Sequence, residues 1–573
     1  KSTNYQIPEY KFVHDRIQQA AYSLIPEQHK PLIHRAIGEL LLQNTSKERR
    51  EEKLFDIVNQ LNLGKEIISN QSKRDELAQL NLKLGKKAKI SAAYQSAFNY
   101  LQLGIELLGN KGWHRKYKLA LSLYVFAAES AYLKSDFEQV KKISKIVLKQ
   151  AHTVLDKVKI TELTILTLIA QNKPNEAIKI ALNFLEKLGI ILPQEPNKLN
   201  IILAVLKTKF VLAGRRIEDL SDLPQMTDPY KLAAMRILSK IGSAAYFSTP
   251  KLMPLISFKS VVLSVKYGNS PDSILAYATY GLILCGIIGD IKLGNQFGNL
   301  SIKLLNKFNH FDCFASVYFL NGCFIKHWKN PAKDTLLIGL EGYKTGLEYG
   351  DLEHSTYCTF LFCYHSYLIG QSLPTLEKTI KNYCKIIENL SQKQSLERLN
   401  LTHQAVLNLL DNVENPCLLI GDVCHEKNML LKLKKNKEYL SIFYLYFNKT
   451  LISYIFEEYH EAASNAACAE QYLDSAIASL AIPYFYFYDA LIQIALYPNV
   501  SSFEQKYCLA KASKNEKKIK KWANHAPMNH LHKLYLIKAE KYRLIGKNTL
   551  AIDYYDRAIA LAKENDYINE AAL

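Results

Sequence analysis

At 573 residues the chain is too long for one core and long enough to bury a large one. Hydrophobic residues make up 48%, which excludes a disordered chain, while 23 glycines and 17 prolines leave little material for a turn-rich all-β fold. The net charge of +19 leaves three classes of partner to weigh: nucleic acid, an anionic membrane surface and an acidic protein.

The first element runs from Phe12 to Pro26. Val13, Ile17, Ala20, Ala21 and Leu24 fall within about 100° on a helical projection, so one side is expected to be buried. His14, Asp15, Gln18 and Gln19 take the other side, and Pro26 stops the helix. A second helix is expected from Pro31 to Leu42, with Ile33, Ala36, Ile37, Leu40 and Leu41 on one face. Thr45-x-x-Glu48 reads as a capping box opening a third helix, whose stripe is Leu54, Ile57, Val58 and Leu61 and whose C-terminal cap is Gly64.

Internal repeats follow. Gly85, Ala88, Ala97, Leu101 and Gly104 have the spacing of a helical hairpin whose small residues let two backbones approach. Weaker copies pair Ala128 with Asp136-Phe137, and Ala177 with Ala181. Between about Ile190 and Tyr230 the pattern lapses, punctuated by Pro193, Pro196, Pro224 and Pro229 around a helix from Asn200 to Ala213, so a bend is expected there. Ser273 to Gly289 is uncharged but shorter than the roughly 20 residues a membrane span needs. It is divided by Gly281 and Gly286 and reads as a buried helix or helix pair. Trp328, Glu353, His354, Tyr364 and His365 form a candidate groove for a ligand or peptide, yet Tyr364 and Tyr367 recur with Phe360 and Leu361 at the spacing of a core stripe. Late repeats show Tyr459 with Ala462, Ala466 and Ala469, then Ala539, Tyr542, Gly546, Ala551, Tyr555 and Ala558. Such pairs cannot bury their apolar faces alone, so an all-α stack wound into a superhelix (an α-solenoid) is expected.

Chemistry-bearing motifs are missing from the sequence. No Gly-x-x-x-x-Gly-Lys-Ser/Thr loop, kinase catalytic-loop motif, Gly-x-Ser-x-Gly elbow or His-Glu-x-x-His occurs, so no catalytic residue is assigned. The ten cysteines form no Cys-x-x-Cys pair, and no His/Cys set has zinc-ligand spacing. Reduced core thiols in a cytoplasmic protein are expected, with no metal. Lys432 to Lys437 and Lys511 to Lys521 are the densest basic runs, but lysine dominates and aromatics are not interleaved with it. Solvated helix faces are the expectation, with no specific nucleic acid and no membrane span.

The Phe12–Pro26 segment closely resembles the helix that closes the ATPase module of large bacterial signalling proteins of the STAND class of NTPases. Those proteins run from a Ser/Thr kinase-like domain through the ATPase and a long TPR-like array to a GAF domain and a histidine kinase or other output domain. Phe55 to Gly64 (FDIVNQLNLG) looks like the entry into that array. Gly350-Asp351-Leu352-Glu353-His354 through Cys363-Tyr364-His365 to Gly370 looks like its mid-array motif. Trp522-Ala523, Ala526-Pro527 and Tyr555 to Ile559 resemble its last repeats. The resemblance implies an ATPase end over 1–45, N-terminal repeats over 46–190, a bend over 191–230, middle repeats over 231–440 and C-terminal TPR repeats over 441–573. It implies that His14, Asp15 and Arg16 sense nucleotide, and that ATP or ADP binds an upstream module, with no cofactor in this stretch. Expected partners are protein domains or peptides, including the flanking ATPase, kinase-like and GAF or histidine kinase domains. The expected role is a non-catalytic regulatory scaffold cropped from a longer signalling kinase. The alternative is a free-standing TPR adaptor or transcription activator that recruits a protein partner.

Overall fold

A computed structural model describes residues 15–46, 49–309, 313–390, 392–410 and 413–573. Helices account for 80% of the described residues. No strand occurs among the described residues, where the only β pairings are the isolated bridges Gln225–Asn269 and Ile420–His425. The all-α expectation therefore holds. The chain divides into two units, Lys1–Ile191 and Leu192–Leu573.

In the first unit the hairpins are Gln71–Ile90 with Tyr94–Leu108, Tyr117–Leu133 with Phe137–Gln150, and Val158–Ala170 with Pro174–Lys187. Gly85 and Gly104 are close-approach points: a Cβ on either would stand 2.6 Å from Leu101 or Leu123 respectively. Ala88, Ala97, Ala128, Ala177 and Ala181 are buried.

One device closes each hairpin. Ala92, Ser135 and Asn172 have left-handed backbone (φ 56°, 63° and 58°). The residue after each sends its N–H back five positions: Ala93 to Ala88 O (2.9 Å), Asp136 to Ala131 O (2.8 Å) and Lys173 to Leu168 O (2.8 Å). This is the Schellman closure, which satisfies carbonyls left open at a helix end and turns the chain sharply. Glu457 and Gly546 play the same part in the second unit, with Glu458 N–H to Ser453 O and Lys547 N–H to Tyr542 O, both 2.9 Å.

Three expectations near the N-terminus need correction. Ile17 and Leu24 are exposed instead of buried. The Lys30–Asn44 helix turns Gly38, Leu41 and Leu42 inward, not the bulkier Ile33, Ile37 and Leu40. Backbone proximity decides this, since a Cβ on Gly38 would lie 2.7 Å from Leu61. Glu48 lies outside the described residues, and Thr45 instead ends its helix, its hydroxyl donating to Leu41 O at 2.6 Å.

The second unit begins at Leu192, and most of the expected bend belongs to its body. The Lys198–Leu212 helix packs on Leu252–Tyr267. Ile217, Leu220 and Met226 are buried, and the Asn269 amide donates to Leu220 O at 2.7 Å. The uncharged 273–289 stretch is a buried helix, Pro271–Ile283, followed by a π-turn over Leu284–Ile288. Hairpins continue through Asp334–Tyr349 with Leu352–Leu368, where Gly339, Gly342 and Gly346 admit Leu361, Cys358 and Ser355.

In an open solenoid each repeat touches only its neighbours. The second unit departs from that rule. Tyr246 OH donates to Ser475 O (2.9 Å), and Lys333 pairs with Asp566 (2.7 Å). The array therefore curls onto itself until segments 150 to 233 residues apart meet. Aromatic rings fill the interior, including Tyr364 on Tyr444 (4.6 Å) and Trp328 on Trp522 (5.4 Å).

Candidate functional site: the seam that closes the second unit

The seam forms where the turn after Phe314–Phe324 meets Pro527–Leu544 and the last short helix, Ile568–Ala572. Asn529, 1% exposed, organises it. Its amide nitrogen donates to His327 O (2.7 Å) and Asn330 O (2.8 Å). Its amide oxygen accepts from Ala332 N–H (2.9 Å) and Tyr567 OH (3.0 Å). Two donors and two acceptor sites are all that an asparagine side chain has, so every one is used.

Beside it, Lys533 and Glu570 form an ion pair at 2.9 Å with side chains 0% and 1% exposed. Lys533 also donates to Asn529 O (2.9 Å) and lies over the rings of Tyr484 (4.2 Å) and Tyr567 (4.5 Å). The other Glu570 oxygen meets His532 Nε2 at 2.7 Å. Burial alone would raise the Glu570 pKa, but Lys533 and His532 more than offset it and hold the carboxyl below its ordinary range. Burial pulls Lys533 down, against Glu570. A charge pair this dry survives only because each partner neutralises the other. A cavity of about 100 Å³ adjoins the pair, lined in part by Phe487, Tyr555 and Ile559.

Histidines complete the seam. His327 Nε2 donates to Ala478 O (2.9 Å), which also accepts from the Trp328 indole (3.0 Å). Thr335 hydroxyl donates to Ala332 O (2.6 Å), so its oxygen is left to accept from His365 Nδ1–H at 2.7 Å. His530 sits near Trp328 and Trp522, both 6.4 Å away, and neither of its ring nitrogens has a hydrogen-bond partner. Burial pushes the His327 pKa down to about 4. His365 and His530 also fall well below the ordinary value, through burial first and then neighbouring positive or protonatable groups. At neutral pH the seam is thus held by uncharged imidazoles.

The candidate groove does not open. Trp328, Tyr364 and His365 are 3%, 2% and 2% exposed and belong to the core. Only Glu353 and His354 reach the surface, and both have local partners: Glu353 accepts from Tyr357 OH (2.9 Å), and His354 Nδ1 meets Asp351 (3.0 Å). His14 lies outside the described residues, as does the Asp15 side chain, while Arg16 is exposed. Ala539, Ala551 and Ala558 are buried in the last hairpin, with Tyr542 and Tyr555 half-buried beside them. Cys285 and Cys323 are buried thiols whose pKa burial raises to about 12. No group of three or more metal-binding side chains occurs among the described residues.

Asn529, Lys533 and Glu570 were not singled out from sequence. The only cue was Ala526-Pro527, which marks the helix start that places Asn529 in its first turn.

No family model matches the chain. The chain is similar to hybrid signal transduction histidine kinase G of Dictyostelium discoideum, at 24% identity over 422 residues. The match covers 66% of this chain and 12% of that much longer protein. Similarity to a signalling protein is thus established at a distance, over a small part of the relative.

Proposed function

We propose that this chain is a regulatory helical-repeat segment of a multidomain signalling kinase, relaying a ligand, partner or nucleotide state to attached catalytic domains. The observation that carries the reading is the 422-residue similarity to a hybrid histidine kinase of which it spans only 12%. The helical-hairpin architecture supports it, and a TPR-like origin accounts for the hairpin spacing. The segment itself performs no catalysis: Lys533, Glu570 and His532 are engaged with one another, and the other seam histidines are shut away from solvent. ATP or ADP binds an upstream module, and the protein works in the cytoplasm. The closed seam is the two-state element. A stimulus that favours the open or closed array shifts the equilibrium of the domains joined to it.

The test uses the whole parent protein. Asn529→Ala removes four hydrogen bonds at the seam, and phosphorylation output is compared with wild type while nucleotide binding checks the flanking modules. A several-fold change in output with nucleotide binding retained is expected. Identical output, with the seam shown to be open by tryptophan fluorescence, would refute the relay.

A further inference from the structure

The Lys198–Leu212 helix of the second unit has two apolar faces. One, with Thr208 and Leu212 buried and Ile201, Ala204, Val205 and Val211 half-buried, lies on Leu252–Tyr267. The opposite face carries Leu199, Ile202, Leu203, Leu206 and Phe210, exposed by 61%, 54%, 56%, 58% and 83%. At 100° per residue these five occupy an arc of about 100°, centred opposite Thr208. Lys207 borders one edge of the arc, and Lys198 and Lys209 the other. No acidic residue occurs between Glu195 and Glu218, while Arg215 and Arg216 fall within that interval. Arg216 is paired with Asp219. Behind the helix, Lys259 and Lys266 stand on the packed Leu252–Tyr267 helix, and Lys231 opens Pro229–Lys240, which packs there too. Lys207, Lys231 and Lys266 all act on Lys259, adding to burial in lowering its pKa.

We propose that this face docks the second unit on an anionic lipid surface, with the five apolar side chains in the headgroup–acyl boundary and the lysines at the phosphates. The proposal is independent of the relay reading. Its geometry is that of a helix lying in the interface plane: an apolar ridge, lysines on both edges whose stems can snorkel, and a cationic hinterland. The ridge is convex, which suits a plane better than it suits a peptide needing a groove. Exposed Tyr230 and Tyr267 lie on the flanking helices, a residue type favoured at membrane interfaces. A second copy is a poorer occupant, because a two-fold contact through this face would set its lysines against their own kind.

Sedimentation of the full chain with phosphatidylcholine vesicles, with and without phosphatidylserine, tests the proposal. Wild type is expected to bind only the phosphatidylserine vesicles. Each juxtamembrane lysine contributes about fivefold, so Lys207→Glu with Lys209→Glu should weaken binding by at least about tenfold. Leu206→Ser with Phe210→Ser should do the same through the apolar arm. All four side chains point to solvent, so helicity and melting temperature serve as the folding control. Failure of wild type to bind phosphatidylserine vesicles overturns the proposal, as does equal binding to phosphatidylcholine alone. So do variants that fold and bind like wild type, and so does tighter binding to a glutamate-rich amphipathic peptide than to vesicles.

Discussion

Acid should open the seam, and His327 gives the size of the effect. Its ordinary pKa of 6.5 falls to about 4 in the folded chain because burial disfavours the imidazolium. The unfolded state therefore binds more protons across that interval. Stability contributed by the neutral imidazole is fully present above about 6.5 and is lost as pH falls towards 4. A displacement of roughly 2.5 units corresponds to about 3 kcal/mol. The groups facing His327 reinforce the direction: His365, 6.2 Å away, and His530, beyond Trp328, are both depressed. Glu570 acts in the same sense, since its carboxyl is held below its ordinary range and must be protonated on acid unfolding. The assay is urea unfolding followed by tryptophan fluorescence in a Trp113→Phe background, leaving Trp328 and Trp522, which report the seam. Wild type should lose stability steeply between pH 6.5 and 4. His327→Gln, less stable at pH 7, should show a slope shallower by about 3 kcal/mol over that range. A variant with the same slope as wild type would refute the assignment of that loss to His327.

Other outcomes follow from single contacts. Lys533→Met strands a dry carboxylate, so thermal unfolding should register a loss of about 3–5 kcal/mol. Adding Glu570→Leu should recover most of it, and additive losses would contradict a direct coupling. Gly85→Val forces a side chain against Leu101, where a Cβ alone would stand at 2.6 Å, and should cost about 1–3 kcal/mol by urea titration, partly restored by Leu101→Ala. Glu457→Gly relieves a left-handed backbone at φ 62° and should raise stability by about 1 kcal/mol, whereas Glu457→Val should lower it.

Local patterns were legible in the sequence, and long-range ones were not. The small residues Gly85, Ala97 and Gly104 marked the crossings of their hairpin because close backbone approach needs a missing side chain. The Schellman turns were visible where glycine or asparagine takes the left-handed position, as at Gly546 and Asn172. At Ala92, Ser135 and Glu457 ordinary residues accept that conformation, so nothing in the sequence flagged them. Trp328, Tyr364 and His365 carried contradictory signals, polar-aromatic composition against core spacing, and the spacing prevailed. Ile33 and Ile37 misled for the opposite reason: the face chosen by Gly38 is set by backbone proximity, which periodicity does not weigh. The seam was invisible because Asn529 and Glu570 act on residues 37 to 202 positions away, and no local period encodes such a partner.

The wide separation of the seam's halves also sets a timetable for synthesis. His327 and Trp328 leave the ribosome well before Glu570 exists. At about 5–20 residues per second the interval is roughly 12 to 50 seconds. Over that time the indole and imidazole rings that end in the core gain their partners only piecemeal, as His365, Ala478, Trp522 and His530 follow in turn. A nascent chain of this kind would be a client for holding chaperones until its last short helix arrives, while the first unit, whose hairpins pair with their neighbours, can fold as it emerges.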